Sequence, residues 1–416
     1  MFLLSGVIFL VNAFIASEYN PFHNGHQHHI EETRKSGADN VICIMSGNFV
    51  QRGSIAVAEK HIRAKAAILS GADLVIELPL KYAISTASYF AEGFIKTAKA
   101  TGLSGVISFG AKDSLETLIQ VKNIIFSKEA EEFSTKCISE GISYPKAKSL
   151  YLEKYGSLAL SEALSDANNV LALEYLRAKD NYFPEADAVA IERKGTSHDS
   201  DDICGNITSA GNIRRILYNE ISENDYINRI YEIQKLVPEA FFSELLPAYS
   251  AGAFPASTEN FELIQFARLL SLTKDDFLKI NNVTGGLENR IIEGLSRCNN
   301  VNELCDFVKS KVFTHSRLRQ IMLSACLGIT KEHLDAPLQY IRVLAFNDKG
   351  RALLNTMRKS ACVPVITNIS QADTNNSLTA IDVRADILAG KLFNLSLPCP
   401  LQGNPEYDIP PVYIKE

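Results

Sequence analysis

Four histidines fall within seven positions near the N-terminus, directly after an apolar run. They are His23, His26, His28 and His29, half of the eight histidines in the chain. Imidazole N–H groups can donate hydrogen bonds to phosphate oxygens as negative charge develops on them. Gly25 lets the main chain approach a phosphate closely, and the N-terminus of a following helix favours an anion. The spacing therefore predicts a phosphate-binding turn.

A metal site is the main alternative for this cluster, because clustered histidines are common zinc ligands. His23 and His26 precede or open the predicted helix, so they do not form the i, i+4 pair of a helical zinc site. Phosphate binding is the favoured interpretation, and we predict no metal site. Histidines without a function are the third possibility.

A second segment, Ile207-Thr208-Ser209-Ala210-Gly211-Asn212-Ile213-Arg214, has the composition of a helix start. Ser209 is expected to cap that helix, so that unpaired main-chain N–H groups point at phosphate, and Arg214 adds a charge-assisted contact. An ordinary capped surface helix is the alternative interpretation.

Alternating strands and helices are needed to bring the two segments together. Helical spacing over Gly25–Ser36 and Glu59–Ser70 separates short apolar runs bounded by Gly, Asp or Pro. The runs predict strands at Val11–Ser17, Asn40–Met45, Leu74–Leu78, Gly105–Phe109 and Ala188–Glu192. This repetition, at intervals of about 30 residues, predicts an α/β fold with a right-handed, doubly wound parallel sheet. Such sheets bind ligands at the carboxyl ends of their strands, where the histidines lie.

Helical patterns dominate the second half of the chain. We predict an α/β domain over residues 1–225, which carries the phosphate-binding turn, and a mainly α-helical domain over residues 226–416, with the boundary between Asn219 and Val237. Strand-like pieces return only at Ile341–Phe346, Val363–Thr367 and Pro411–Lys415.

Composition narrows the class of protein. The 416 residues are 46% hydrophobic and 22% charged, which excludes a largely disordered, collagen-like or disulfide-dense chain. The net charge of −6 gives no overall basic field for nucleic acid. The eight cysteines form no C-x-x-C pair, so reduced thiols in a cytoplasmic protein are expected.

The apolar run Phe2–Ala16 lacks a positive flank, because the first basic residue is Arg34. We therefore interpret it as leading into a strand rather than as a signal peptide. Whether the first ten or so residues belong to the mature chain stays open.

The motifs resemble those of a known family. His23-Asn24-Gly25-His26 resembles the HxGH signature of the nucleotidyltransferase superfamily, and Ile207–Arg214 resembles its second motif, ISSTxIR. Further blocks are similar to the bacterial tRNA(Met) cytidine acetate ligase family and cover most of the chain: Glu18–His26, Met45–Gly53, Gly71–Pro79, Ser143–Ala147, Asn168–Leu171, Ile191–Arg193, Thr314–Leu318 and Ile341–Phe346.

The resemblance implies an ATP-dependent ligase. Residues 1–225 would form its nucleotidyltransferase-like, ATP-binding catalytic domain, of the HUP or Rossmann-like type, and the mainly helical domain over residues 226–416 would contact tRNA. Such an enzyme activates acetate as acetyl-adenylate, releases pyrophosphate and acetylates N4 of the wobble cytidine, position 34, of elongator tRNA(Met), giving N4-acetylcytidine. It implies that His23 and His26 stabilise the transition state at the α-phosphate. ATP is expected as Mg-ATP without a dedicated metal site, and no membrane partner is expected. The implied ATP-binding residues are Ala16, Ser17, Glu18, Tyr19, Asn20, Pro21, Phe22, His23, Asn24, Gly25, His26, Gln27, His28, His29, Gly110, Asn168, Asn169, Arg193, Ser209 and Arg214.

Several of these residues have structural alternatives. Gly110 fits a plain turn at a strand end, the Asn168–Asn169 pair fits a helix cap, and Arg193 fits a solvated loop. Asn48, Gln51, Arg52 and Lys60 are further, lower-ranked candidates for substrate or phosphate contacts. Ala111-Lys112 and Ala167 depart from the family pattern without removing its chemical motifs.

A locally basic segment of the sequence is a candidate surface for tRNA binding. Residues 301–360 contain ten Lys and Arg against five Asp and Glu, whereas the chain as a whole is acidic. The candidate contacts are Arg317, Arg319, Arg342, Lys349 and Arg351. A solvated helical face is the alternative interpretation.

Two other functions remain possible from the sequence. One is a nucleotidyltransferase acting on a small phosphorylated acceptor. The other is a nucleotide- or RNA-binding regulator without turnover. The intact histidine pair favours catalysis over the second, because passive nucleotide binding does not need two donors at one phosphate.

Overall fold

The computed structural model describes residues 11–193, 205–218, 226–310 and 313–415. The apolar start of the chain, Cys204 and part of the predicted boundary at 219–237 lie outside the described residues. The strands are β1 (Asn12–Ser17), β2 (Asn40–Ser46), β3 (Phe49–Val50), β4 (Ser54–Ile55), β5 (Leu74–Leu78), β6 (Val106–Ala111), β7 (Asp187–Glu192), β8 (Ile341–Phe346), β9 (Val365–Ile366) and β10 (Val412–Tyr413).

Helices surround these strands. In the first half they are α1 (Asn24–Lys35), α2 (Lys60–Leu69), α3 (Leu80–Ala83), α4 (Ala87–Ala100), α5 (Leu115–Ile125), α6 (Lys128–Ser139), α7 (Tyr144–Tyr155), α8 (Leu158–Glu162), α9 (Ala167–Tyr182) and α10 (Ala210–Tyr218). Later in the chain they are α11 (Tyr226–Glu232), α12 (Glu239–Ser250), α13 (Thr258–Leu270), α14 (Lys274–Leu278), α15 (Leu287–Leu295), α16 (Val301–Val308), α17 (His315–Leu327), α18 (Lys331–Asp335), α19 (Asp348–Ser360), α20 (Ser377–Leu395) and α21 (Pro405–Asp408).

The main sheet confirms the predicted doubly wound architecture. Its strands lie in the order β10-β8-β5-β2-β1-β6-β7, and every neighbouring pair among β5, β2, β1, β6 and β7 is parallel. The chain order reverses between β1 and β6, which creates a crevice at the carboxyl ends of these two strands. The histidine segment directly follows β1 and therefore lies at this crevice.

Alternating side chains cover the two faces of the sheet. Phe14, Ile42 and Ile76 belong to the core on one face, with helices α4 and α9. Ile15 and Cys43 belong to the core on the other face, with helices such as α1, α2 and α12. Because both faces are covered, the residues between the polar ends of β1 and β2 are continuously apolar rather than alternating.

The sheet extends across the predicted domain division. Strand β8 pairs antiparallel with β5, with Leu74 opposite Phe346, and β9 and β10 pair with β8. All three strands come from residues after 226, at the three places where the sequence predicts strands. The division into 1–225 and 226–416 stays a prediction, but it does not separate the sheet from the helical part.

The second half also builds a helical core of its own. Helices α13, α15, α16, α17 and α20 supply most of it. The small antiparallel hairpin β3–β4 contributes Phe49 and Ile55, so that Phe49 packs against Phe261 at 5.3 Å between ring centroids. Within the described part of the chain, no helix is both long and apolar enough to cross a membrane, and the seven described cysteines are free.

Candidate active site

The turn after β1 fixes two imidazole rings at the start of α1. His23 is the N-cap residue, and its Nδ1 accepts a hydrogen bond from the Gly25 amide at 3.0 Å. The His26 Nδ1 accepts in turn from the His23 amide at 3.2 Å, which completes a reciprocal capping box. An Nδ1 that accepts from an amide carries no proton, so both neutral rings are Nε2–H tautomers.

The two rings stack on each other above an aromatic floor. Their centroids are 3.7 Å apart with an interplanar angle of 28°. Tyr19 and Phe22, which are buried, contact the His26 ring at 4.8 and 5.7 Å. Tyr19 adopts a φ of 49°, a left-handed conformation that is uncommon for a large side chain. The packing therefore restrains both imidazoles at the N-terminus of a helix, where an anion is favoured.

The second predicted segment lies against the first. The Ser209 Oγ accepts from the Asn212 amide at 3.0 Å, so Ser209 caps α10 as predicted. The Arg214 side chain donates from Nη1 to the Asn20 carbonyl at 2.5 Å. Two helix N-termini and one guanidinium thus converge on the same crevice.

A further wall forms where β6 and β7 end. The Arg193 Nη1 donates to the Asn168 Oδ1 at 2.6 Å. The aliphatic part of the Arg193 side chain lies against Gly110, where an added Cβ would be 3.3 Å from the Arg193 Cγ. Asn169 is fully buried and accepts from the Lys112 amide at 3.0 Å. Asp166, rather than either asparagine, caps α9 through the amides of both.

His29 lies behind the histidine pair on α1. Its Nε2 is 3.0 Å from the Ser108 Oγ on β6. Burial lowers the pKa of His29 to about 4, and the charges of Arg193 and His28 act in the same direction. This imidazole is therefore neutral near pH 7 and cannot serve as a cationic phosphate ligand.

The opposite wall is the β3–β4 hairpin. The Glu18 Oε1 accepts from the Gln51 amide at 2.6 Å, which ties the hairpin to the turn after β1. Burial raises the pKa of the Glu18 carboxyl, against the hydrogen bond from Gln51 and the charges of Arg214, Arg63 and Arg52. The buried Arg63 donates to the carbonyls of Glu18 (2.6 Å) and Gly47 (2.5 Å).

These walls enclose a cleft of about 280 Å³ that brings most of the predicted site residues together. The predicted residues that line it are Ala16, Ser17, Glu18, Tyr19, Asn20, His23, Gly25, His26, His28, His29, Gly110, Asn168, Arg193, Ser209 and Arg214. Gln51 and Arg52, ranked lower from the sequence, also line it, whereas Asn48 and Lys60 do not.

Five predicted residues lie outside the cleft lining. Pro21 follows a cis peptide bond, Phe22 is in the core, and Asn169 supports the loop after β6. Asn24 ties α1 to the carbonyls of Asn206 and Lys235, and Gln27 pairs with Glu31 one turn along α1. Asn24 and Asn169 therefore support the elements around the site, whereas the bond of Gln27 stays within α1.

The prediction omitted an apolar part of the lining. Leu171 and Tyr175 on α9 face the cleft, as does Phe109 at the end of β6. Leu171 and Tyr175 follow Asn168 at i+3 and i+7 and so share its helix face. This spacing could have predicted from the sequence that both side chains line the cleft.

The five candidate tRNA contacts do not form one surface. Arg342 is buried, with 3% of its surface exposed, and pairs with Glu406, so the prediction for this residue is wrong. Lys349 and Arg351 begin α19, directly after the end of β8 that lies opposite the first residue of β5. This is the amino edge of the sheet, roughly 15 Å from the carboxyl edge that holds the cleft. Arg317 and Arg319 lie on α17 beside the hairpin.

The described residues contain no group of three or more His, Cys, Asp or Glu side chains arranged to hold a metal ion.

Comparison with known proteins places these features in a family. A family model described as HIGH Nucleotidyl Transferase matches residues 12–401. A tRNA(Met) cytidine acetate ligase of Acetivibrio thermocellus is 34% identical over 367 residues, covering 85% of this chain and 87% of the relative. One from Thermoanaerobacter sp. is 34% identical over 395 residues, covering 92% and 94%.

Solved structures agree in fold over nearly the whole chain. The apo crystal structure of Thermotoga maritima TmcAL superposes with a TM-score of 0.88 at 29% identity, covering 98% of this chain and all of that one. The same protein bound with alpha-thio ATP gives a TM-score of 0.87 at 28% identity and the same coverage.

Proposed function

The chain belongs to the HIGH nucleotidyltransferase family and to the tRNA(Met) cytidine acetate ligases within it, and from that premise we propose that it acetylates N4 of the wobble cytidine of elongator tRNA(Met) at the expense of ATP. The observation that carries the proposal is the capping box that holds the His23 and His26 rings stacked at the sheet's crevice. Both substrates, ATP and acetate, bind in the cleft around this pair.

ATP lies across the carboxyl ends of β1, β6 and β7. Gly110, Asn168 and Arg193 hold the adenosine end, beside the apolar side chains of Leu171 and Tyr175. The α-phosphate lies at the N-terminus of α1, and the leaving phosphates lie toward Ser209 and Arg214 at the start of α10. Mg²⁺ brought in with ATP would be held mainly by the nucleotide phosphates and would neutralise part of their negative charge.

The first step forms acetyl-adenylate. A carboxylate oxygen of acetate attacks the α-phosphorus, the bond to the β-phosphate breaks, and pyrophosphate leaves. Negative charge accumulates on the α-phosphate oxygens, and the Nε2–H groups of His23 and His26 donate to them as it develops. Neither histidine needs to move a proton, which agrees with a geometry that fixes Nδ1 as an acceptor on both rings.

The second step transfers the acetyl group. The cytidine N4 attacks the acyl carbon of acetyl-adenylate, AMP leaves, and N4 loses one proton. The amino group becomes an acetamide. Acetyl-adenylate is itself an activated acyl donor, so the transfer requires no covalent acyl-enzyme.

The experiment that tests this function supplies purified protein with ATP, isotopically labelled acetate and tRNA from cells lacking the modification. Digestion and mass spectrometry should find labelled N4-acetylcytidine only when ATP is present. Acetate-dependent pyrophosphate release without labelled nucleoside would keep the adenylation and reject the acceptor. ATP binding without either signal would favour a regulator.

A further inference from the structure

One side of the cleft makes no contact with ATP in the proposed arrangement. The adenosine wall comes from β6, β7 and α9, on one side of β1, whereas the β3–β4 hairpin follows β2, on the other side. His23 and His26 lie between the two, after β1. A second substrate that attacks the α-phosphate therefore has room on the hairpin side.

Three arginines are the permanent cations among the described residues that line the cleft. Arg193 is bonded to Asn168 on the adenosine wall, and Arg214 donates to the Asn20 carbonyl beside the start of α10. Arg52, on the hairpin, is the cation on the remaining wall, where its charge also acts on the Glu18 carboxyl. A carboxylate approaching a triphosphate meets strong repulsion, which a guanidinium at its binding place offsets, because arginine recognises carboxylates through paired N–H donors.

We propose that the hairpin segment Val50–Arg52 forms the acetate subsite, with Arg52 holding the carboxylate and Val50 facing the methyl group; this inference rests on the proposed function. Val50 lines the cleft and is buried, so it offers an apolar surface of limited size. Acetate held here lies beside the histidine pair, on the side from which it can reach the α-phosphorus.

Contacts with the turn after β1 and with α17 hold the hairpin in place. The Glu18 carboxylate accepts from the Gln51 amide at 2.6 Å, and the Gln320 Nε2 on α17 donates to the Gln51 carbonyl at 2.6 Å. Gln320 also donates to the Ser85 carbonyl at 2.9 Å. Gly53, at a φ of 77°, lies so close to α17 that a Cβ would be 2.7 Å from the Arg319 carbonyl carbon. Gln320 is thus a positioning residue of the acetate subsite, supplied by the helical half of the chain.

The direct test is the steady-state dependence of pyrophosphate release on acetate and on ATP, measured separately, with tRNA present. Arg52→Met should raise the KM for acetate at least tenfold and change the KM for ATP less than threefold. Arg297→Met, which removes an exposed arginine just after α15 that pairs with Glu293 of that helix, is the matched control and should leave both constants unchanged. An equal rise in both constants for Arg52→Met would make Arg52 a nucleotide contact and overturn the proposal.

Gln320→Met tests the positioning role. It keeps the length of the side chain and removes both donors, so it should raise the KM for acetate three- to tenfold with little change for ATP. Gln339→Met removes a similar bond, to the Pro337 carbonyl outside the cleft, and serves as the control. If Gln320→Met leaves the acetate KM unchanged, the hairpin does not depend on this contact.

A change of substrate size gives an independent readout. Val50→Ala should raise the ratio of kcat/KM for propionate to that for acetate at least fivefold, because it opens space at the methyl position. An unchanged ratio would remove Val50 from the subsite. A wild-type protein that releases no pyrophosphate with acetate would instead contradict the proposed function itself.

Discussion

At the scale of single residues, the proposed catalysis depends on which imidazole nitrogen can donate. On both rings Nδ1 already accepts a main-chain hydrogen bond, which leaves Nε2–H as the donor. His26→Asn keeps an acceptor near the Nδ1 position for the His23 amide but removes the Nε2 donor. We expect kcat to fall by about 100-fold or more, as for the loss of one oxyanion donor, with ATP affinity largely retained. Turnover with saturating substrates and equilibrium ATP binding check this. His26→Gln, which restores a donor near Nε2, should lose less activity than His26→Asn, and normal turnover in His26→Asn would refute the role of the donor.

His29 makes a separate prediction about acid stability. Its pKa of about 4 in the folded protein lies below the ordinary value of 6.5, so the unfolded chain binds more protons between these values. The stability contribution is complete above about pH 6.5 and is lost as the pH falls toward 4. Lowering the pH from 7 to 5 should cost about 2 kcal/mol through this residue. Urea unfolding at both pH values should show a smaller acid loss in His29→Gln, and an equal loss would contradict the assignment.

The chemistry-bearing residues were the most predictable part of the molecule. The HxGH turn, the Ser209 cap and Arg214 follow from short local patterns, because caps and turns are set by neighbouring residues. Arg342 was wrongly predicted as a tRNA contact because counting charges in a window ignores burial. Its position inside the apolar strand Ile341–Phe346 indicated that it is buried.

At the scale of elements, a buried ionic cluster ties the C-terminal helix α21 to the sheet. The Glu406 carboxylate on α21 pairs with Lys60 of α2, at 2.7 Å, and with Arg342 of β8. All three are nearly fully buried, and Glu77 of β5 also bonds to Lys60, at 2.9 Å. The cluster therefore joins four elements that are far apart in the sequence, which local patterns cannot reveal.

Glu406→Gln should be strongly destabilising, because it leaves two buried cations with one carboxylate between them. We expect a loss of about 3 kcal/mol or more in the free energy of unfolding, measured with urea. Glu293→Gln breaks an exposed pair with Arg297 and should cost less than about 0.5 kcal/mol. Similar losses for the two variants would mean that the buried cluster contributes no more than a surface pair.

At the scale of the whole molecule, the two halves of the sequence share one sheet. Strand β8 covers the edge of β5, whose residues Leu74, Val75 and Ile76 are fully buried. The sequence correctly predicted each of these strands but could not predict their pairing, because partners more than 250 residues apart leave no local signal. The packing of α17 against the β3–β4 hairpin could not be predicted from the sequence for the same reason.

A chain ending at residue 225 should therefore not behave as an independent domain. Without β8 and β10, the edge of β5 and an apolar part of both sheet faces become exposed, which favours association of chains. Size-exclusion chromatography and binding of a hydrophobic dye should show aggregation of this fragment, compared with the full-length protein. A monomeric fragment that binds ATP would instead support two separable domains.

The most direct test of the central claim follows the oxygen atoms of acetate. The reaction is run with acetate labelled by ¹⁸O in both oxygens, together with ATP and unmodified tRNA(Met), and the AMP, pyrophosphate and nucleosides are analysed by mass spectrometry. Attack of acetate on the α-phosphorus predicts one ¹⁸O in AMP, one in the acetyl group of N4-acetylcytidine and none in pyrophosphate. Unlabelled AMP, or ¹⁸O in pyrophosphate or inorganic phosphate, would contradict adenylation at the histidine pair.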